Sequence, residues 1–304
     1  MINGSDNPIF VVGTGRCGLT LLMDLISYHR DLAWPSQYLN RPYTTSRLYL
    51  SALSRFVDYF PGLPGKHTVK WVPRHSEAFH LYEHCFKGFG RPFRDLTGDD
   101  ITSNVEAKFR DVFEKIMRFH RKKRIIVEYS GWPRIRFFKK IFPNAKFIHV
   151  IRDGRAVANS LLNVDYWLGW EGIYKWRWGI PPEFLLEKLK KYNHSFLALA
   201  GIQWKILIQS FLENLVALDA GHYLEIKYED MVRSPKDTAL KCLNFLGLDP
   251  SCRIFKKNLP LVKVVDANNS QFRISPWKQN LDTAQINMLN DILDKELLHY
   301  GYEI

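Results

Sequence analysis

The chain has 304 residues, 46% hydrophobic and 24% charged, an ordinary globular composition from which a sizeable core is expected. Forty-three Lys+Arg against 31 Asp+Glu leave a net charge of +12, which implies an anionic partner: nucleic acid, a membrane surface, an acidic polysaccharide or a highly phosphorylated nucleotide. The sequence lacks the run of roughly 18 apolar residues that a membrane-spanning helix needs, and Cys17, Cys85, Cys242 and Cys252 form neither a C-x-x-C pair nor a zinc spacing.

The cysteine usage reads as a reducing compartment, and residues 1–7 carry no secretory pattern. A cytoplasmic protein is expected, with a Golgi-lumenal catalytic domain cut from an anchored parent as the alternative. An apolar β-branched run, Ile9-Phe10-Val11-Val12, stops at Gly13, Gly15 and Gly18, and an apolar helical pattern begins at Leu19. That is strand, glycine-rich turn, helix. Such a turn aims backbone N–H groups and a helix N-terminus at one spot, a place to hold a phosphate, with Arg16 inside it as a cation. A tight turn with no ligand is the other reading.

Gly13 and Gly18 have the spacing of the nucleotide P-loop, G-x-x-x-x-G-K-[ST]. Leu19 stands at the lysine position, however, and Thr20 follows it. A kinase needs that lysine on the β/γ-phosphates. A tyrosine-phosphatase loop is excluded, because Met23 stands where its arginine belongs.

Residues 29–65 are rich in Tyr, Arg, Pro and Ser without periodicity, a long excursion from the sheet. Helices are predicted over 76–86, 104–119 and 134–141. A short buried strand over 125–128 puts Glu128 at its C-terminal end, where open α/β sheets place ligand-binding residues. The basic run 121–124 reads as a solvated helix end. A strand over 146–151 leads through a polar turn into a helix to about residue 163. Arg152 closes that strand and Ser160 lies two helical turns on, so both reach one ligand only if Arg152 folds back. The alternative is an Arg152–Asp153 salt bridge.

Residues 165–178 crowd Tyr166, Trp167, Trp170, Tyr174, Trp176 and Trp178 together, either an aromatic-walled acceptor site or a packed flap. Helical sequence follows Pro181-Pro182, breaks near Asn193 and runs to about residue 218. A strand over 222–228 ends in Glu229-Asp230. A helix over 234–245 has Pro235 in its first turn and Gly247 past its end. A polar loop over 266–279 precedes a final amphipathic helix over 283–298. One domain over 1–304 is expected.

Taken together, these pieces resemble the sulfotransferases that use 3′-phosphoadenosine 5′-phosphosulfate, nearer the bacterial and Golgi carbohydrate or tyrosine branches than the cytosolic steroid and phenol branch. Gly15, Arg16, Gly18 and Thr20 fit that family's 5′-phosphosulfate loop, with Cys17 and Leu19 replacing its usual Ser and Thr. Arg152-Asp153-Gly154-Arg155-Ala156-Val157-Ala158-Asn159-Ser160 matches its 3′-phosphate motif. Lys227-Tyr228-Glu229-Asp230 resembles its strand beside the adenine, and Trp277-Lys278 its C-terminal nucleotide-covering segment.

The resemblance implies an α/β fold, a P-loop-like parallel sheet flanked by helices, with insertions at about 29–120 and 165–195 forming the acceptor side. It implies a metal-independent transfer to a hydroxyl of a carbohydrate, glycolipid or similar acceptor, without nucleic acid. The donor carries about four negative charges, which suits two basic anchors on a basic protein. One departure concerns the general base. A glutamate about twenty residues past the loop serves the tyrosine and carbohydrate branches, but here Trp34-Pro35-Ser36-Gln37-Tyr38 occupies that stretch. Glu128 is the leading replacement, against a purely structural ion pair; Glu77 and His75 stand in reserve, against helix-start or surface roles. A P-loop kinase-like enzyme and a non-catalytic polyanion-binding module are the alternatives to the transferase.

Overall fold

β1 (Ile9–Gly13) is buried along its whole length, as an apolar run without polar alternation requires of a strand in the middle of a parallel sheet. The computed structural model describes residues 7–55, 72–90, 93–216, 218–251 and 274–304. Among them β1, β2 (Leu32–Ala33), β3 (Arg124–Ser130), β4 (Lys146–Ile151) and β5 (Tyr223–Lys227) form one parallel sheet in the order β2-β3-β1-β4-β5. Gly13 lies opposite Ser130 on one side and Val150 on the other, so the three central strands end nearly level. The chain leaves β3 on one side of β1 and returns as β4 on the other. That reversal opens a crevice at the carboxyl ends of the strands.

Helices cover both faces: α1 (Leu19–Ile26), α2 (Thr45–Leu50), α3 (Phe79–Cys85), α4 (Ser103–His120), α5 (Ile135–Ile141), α6 (Gly154–Leu161), α7 (Glu183–Lys191), α8 (Phe196–Leu215), α9 (Tyr228–Arg233), α10 (Pro235–Leu246), α11 (Trp277–Asn280) and α12 (Thr283–His299). Side chains alternate across the sheet. Phe10, Val12, Val127, Tyr129 and Phe147 face a core shared with α4 and α5. Ile9, Val11, Ile126, Ile148 and Val150 face α1 and α10. The Phe10 ring stacks on Phe138 at 4.2 Å and on Phe147 at 5.2 Å, each pair adding about 0.5–1.5 kcal/mol beyond its buried area. A third core joins α6, α8 and α12 around Trp204.

The fold is the α/β domain with a helix-flanked parallel sheet that the sequence predicts. Three boundaries differ, each for a tertiary reason. The helix expected from residue 76 starts at Phe79, because His75 is tied in an antiparallel bridge to Ser36 and Ala78 takes a left-handed φ of 46°. β3 runs two residues past Glu128, because β1 supplies partners as far as Ser130. Arg124, expected in a solvated run, is buried and donates to the carbonyls of Asn7 and Leu246. The predicted loops over 29–65 and 266–279 lie partly outside the described residues, as does Cys252.

Candidate active site

The glycine-rich turn between β1 and α1 is built from left-handed residues, with φ of 85° at Gly15, 54° at Arg16 and 97° at Gly18. A Cβ on Gly18 would stand 2.4 Å from Cδ2 of Tyr228, and one on Gly13 would stand 2.4 Å from Sγ of Cys17. The turn therefore closes only with glycine at both positions. The Cys17 side chain folds beneath it, where burial pushes the thiol up to about 12. Cys17 thus offers a ligand its backbone alone. The first turn of α1 has N–H groups with no partner inside the helix. Gly15, Arg16, Gly18, Leu19 and Thr20 form one wall of a cavity of about 510 Å³.

Arg16 ties this turn to two other segments. Its Nε donates to Ser160 Oγ at 2.9 Å and its Nη1 to Tyr166 Oη at 3.1 Å. Arg152 Nη1 donates to the carbonyl of Arg16 at 3.0 Å, and its guanidinium lies 4.2 Å from the centre of the Tyr228 ring. Arg152 and Ser160 are thus brought together through Arg16. The alternative Arg152–Asp153 salt bridge is not what forms. Asp153 caps α6 and pairs with Arg155 at 2.8 Å, which leaves Arg152 facing the cavity.

Of the acidic candidates, Glu77 lies in the cavity wall. Ser130 Oγ donates to its Oε2 at 3.1 Å. Burial, and then the charge of Glu128, push the Glu77 carboxyl up to about 7, against the opposing pull of Ser130, Arg177 and Arg134. Glu128 stands outside the lining. It is 2% exposed, and its Oε1 accepts from His75 Nδ1 at 2.7 Å. His75 Nε2 donates in turn to Asp24 Oδ1 at 2.8 Å. Burial disfavours charge on this imidazole, yet the charges and hydrogen bonds of Glu128 and Asp24 raise it to about 10. Held between the carboxyl groups of Glu128 and Asp24, the ring has its protonated form favoured. Of the two glutamates it is Glu77 that lines the cavity, and Ser130, not Glu128, is the β3 residue at the crevice.

Residues 165–178 divide between cavity wall and packing. Tyr166, Trp167 and Trp178 line the cavity, whereas Trp176 is buried beneath the segment and Tyr174 is almost wholly exposed. Ser130, Arg177 and Gln203 also line the cavity and were not singled out by sequence. Gln203 accepts from Trp167 Nε1 at 2.6 Å and so fixes that ring. Trp277 and Lys278 are not brought to this cavity. They line a separate hollow of about 740 Å³, where the Arg155 guanidinium sits 4.3 Å from the Trp277 ring.

A family model described as "Sulfotransferase family" matches residues 8–251. The chain is 21% identical over 328 aligned residues to omega-hydroxy-beta-dihydromenaquinone-9 sulfotransferase Stf3 of Mycobacterium bovis, covering 98% of this chain and 76% of that protein. It is 26% identical over 186 residues to carbohydrate sulfotransferase 2 of Homo sapiens, covering 52% of this chain and 35% of that one. Among solved structures, sulfotransferase STF9 from Mycobacterium avium superposes with a TM-score of 0.62 at 14% identity, over 99% of this chain and 78% of that chain. The sulfotransferase domain from the Synechococcus PCC 7002 olefin synthase does so with a TM-score of 0.51 at 18% identity, over 98% and 97%. At these identities the structural likeness is one of fold.

Proposed function

Because the chain belongs to the sulfotransferase family, we propose that it moves a sulfuryl group from 3′-phosphoadenosine 5′-phosphosulfate to a hydroxyl of a carbohydrate, glycolipid or similar acceptor. The observation that carries this reading is the convergence of Arg16, Arg152 and Glu77 on one cavity above the glycine-rich turn. The turn and Arg16 hold the 5′-phosphosulfate and neutralise the leaving oxygen; Arg152 and Ser160 take the 3′-phosphate; Tyr228 supports the nucleotide under Arg152. In the transfer, the sulfur–oxygen bond to the 5′-phosphate breaks as a sulfur–oxygen bond to the acceptor oxygen forms. The acceptor proton passes to Glu77, and 3′,5′-adenosine bisphosphate leaves.

A base must be unprotonated and within reach of the cavity, and among the sequence candidates Glu77 meets both conditions near neutral pH. The acceptor lies between the wall that carries Glu77 and the wall from residues 165–178. Two relatives, named for a carbohydrate and for an omega-hydroxy menaquinone, support a hydroxyl acceptor. No helix among the described residues is long and apolar enough to cross a membrane. Trp277 and Lys278 have no part in this reading.

Thermal-shift titration with 3′,5′-adenosine bisphosphate, against AMP and magnesium-ATP, tests the donor site, because a ligand of the native state raises its melting temperature by mass action. A rise specific to the 3′-phosphorylated nucleotide is expected. A rise with magnesium-ATP alone would favour a kinase. Silence from all three, with salt-sensitive binding to polyanions, would leave a binding module.

A further inference from the structure

We propose that Asp24, His75 and Glu128 form a buried carboxylate–imidazolium–carboxylate chain that positions Glu77 and keeps its carboxyl poised to accept a proton. His75 and Glu128 are then positioning residues for the transfer, an inference that rests on Glu77 as the base. The construction is geometric. Glu128 and Ser130 are two apart on β3 and share a face. That face looks toward α1, which carries Asp24. Residues 75–77 lie against it, with His75 on Glu128 at 2.7 Å and Glu77 on Ser130 at 3.1 Å. Backbone bonds hold the segment in place, Gln37 N to the Arg74 carbonyl at 2.9 Å and Ser76 N to the Pro35 carbonyl at 3.0 Å.

The chain sets two carboxyl groups against one imidazole, and the charge of Glu128 raises the neighbouring Glu77 carboxyl. Glu128 Oε2 is buried with no hydrogen-bond partner among the described residues, so His75 satisfies only one of the two carboxyl oxygens. Stability alone does not call for such a cluster, since apolar replacement of buried ion pairs is often neutral or stabilising. Glu77 faces Glu128 from β3, Arg134 from the turn before α5, Arg177 from the aromatic segment, and the neutral groups Tyr82 and Cys17. Arg16 and Arg152 line the same cavity. His75 faces Asp24, Glu128 and the Tyr28 ring, 5.9 Å away.

The test is an NMR titration of full-length protein labelled at glutamate carboxyl carbons and histidine ring nitrogens, which needs no acceptor. In the wild type, one glutamate carboxyl, absent in Glu77→Gln, titrates near neutrality, and His75 stays protonated past pH 8. In Glu128→Gln, which keeps the side-chain volume, the Glu77 midpoint falls by about one pH unit or more and the His75 midpoint falls with it. An unmoved Glu77 midpoint in folded Glu128→Gln, or a wild-type His75 titrating in the ordinary histidine range, overturns the proposal. If Glu128→Gln does not fold, Asp24→Asn, at a partly exposed position, must lower the His75 midpoint, and no change overturns it equally. Full transfer activity in Glu77→Gln would remove the base while leaving the coupling intact. Lost activity in Glu77→Gln without coupling would sink this inference alone.

Discussion

Gly18→Ala tests the architecture of the glycine-rich turn proposed to bind the donor, and its effect can be worked out in advance. At φ 97° an alanine pays about 1–2 kcal/mol for the left-handed conformation. Its Cβ would also stand 2.4 and 2.9 Å from two carbons of the Tyr228 ring and 3.2 Å from Cε of Met231. Overpacking of this kind adds about 1–3 kcal/mol, so the total is about 2–5 kcal/mol. For a chain of this size that corresponds to a fall in melting temperature of roughly 3–8 °C. Relief requires the Tyr228 ring to move, and Arg152 stacks on that ring at 4.2 Å. The nucleotide-induced stabilisation should therefore shrink as well, by a loss of affinity of about tenfold or more, equivalent to at least ~1.4 kcal/mol. Gly247→Ala is the internal control. It too is left-handed, at φ 69°, but its Cβ meets no described atom within 4 Å, so only the conformational cost of about 1 kcal/mol applies. Differential scanning fluorimetry with and without 3′,5′-adenosine bisphosphate measures both quantities. A Gly18→Ala protein that melts like Gly247→Ala and keeps its nucleotide shift would refute the reasoning.

Glu77→Gln should lower kcat/KM by about 10²–10⁴ while leaving the melting temperature near that of the wild type. Because the unprotonated form is the base, wild-type activity should be full above pH of about 7 and fall as pH drops through that value, a limb absent from the pH–rate profile of Glu77→Gln. Arg16→Ala and Arg152→Ala should each abolish the stabilisation specific to the 3′-phosphorylated nucleotide in the same scanning assay, with the fold intact by circular dichroism. His75→Leu leaves Glu128 buried without its counter-charge and should cost about 3–5 kcal/mol in urea unfolding, with Glu128→Met in the same chain restoring much of it. The pH sign follows from the raised pKa. The His75 contribution to stability is fully present below its ordinary 6.5 and is lost as pH rises through about 10, so the stability gap between wild type and His75→Leu should narrow between those limits.

What could be read from the sequence was local. The Gly13–Gly18 turn announces itself by composition, and Arg152 and Ser160 lie close enough in the chain for one helix to carry the second toward the first. Which of Glu128 and Glu77 lines the cavity could not be read that way. It depends on how far β3 extends, which β1 decides by pairing Gly13 with Ser130, and on the bridge between His75 and Ser36, residues 39 positions apart that share no pattern. Ser130 and Arg177 were missed for the same reason: each becomes a site residue only through what folds over it. The one signal available for Ser130 was its place two residues beyond a glutamate that had already drawn attention.

The level ending of the three central strands also bears on how the protein comes apart. β1 is buried on both faces and hydrogen-bonded on both edges, so its amides should exchange with solvent deuterium only through global unfolding. The turn proposed to hold the anion hangs from that strand. The walls carrying Glu77 and Tyr166 lie outside the sheet, where opening demands less free energy. Under rising denaturant, transfer should therefore fail before nucleotide capture does, leaving a window in which the enzyme still holds its donor and can no longer spend it.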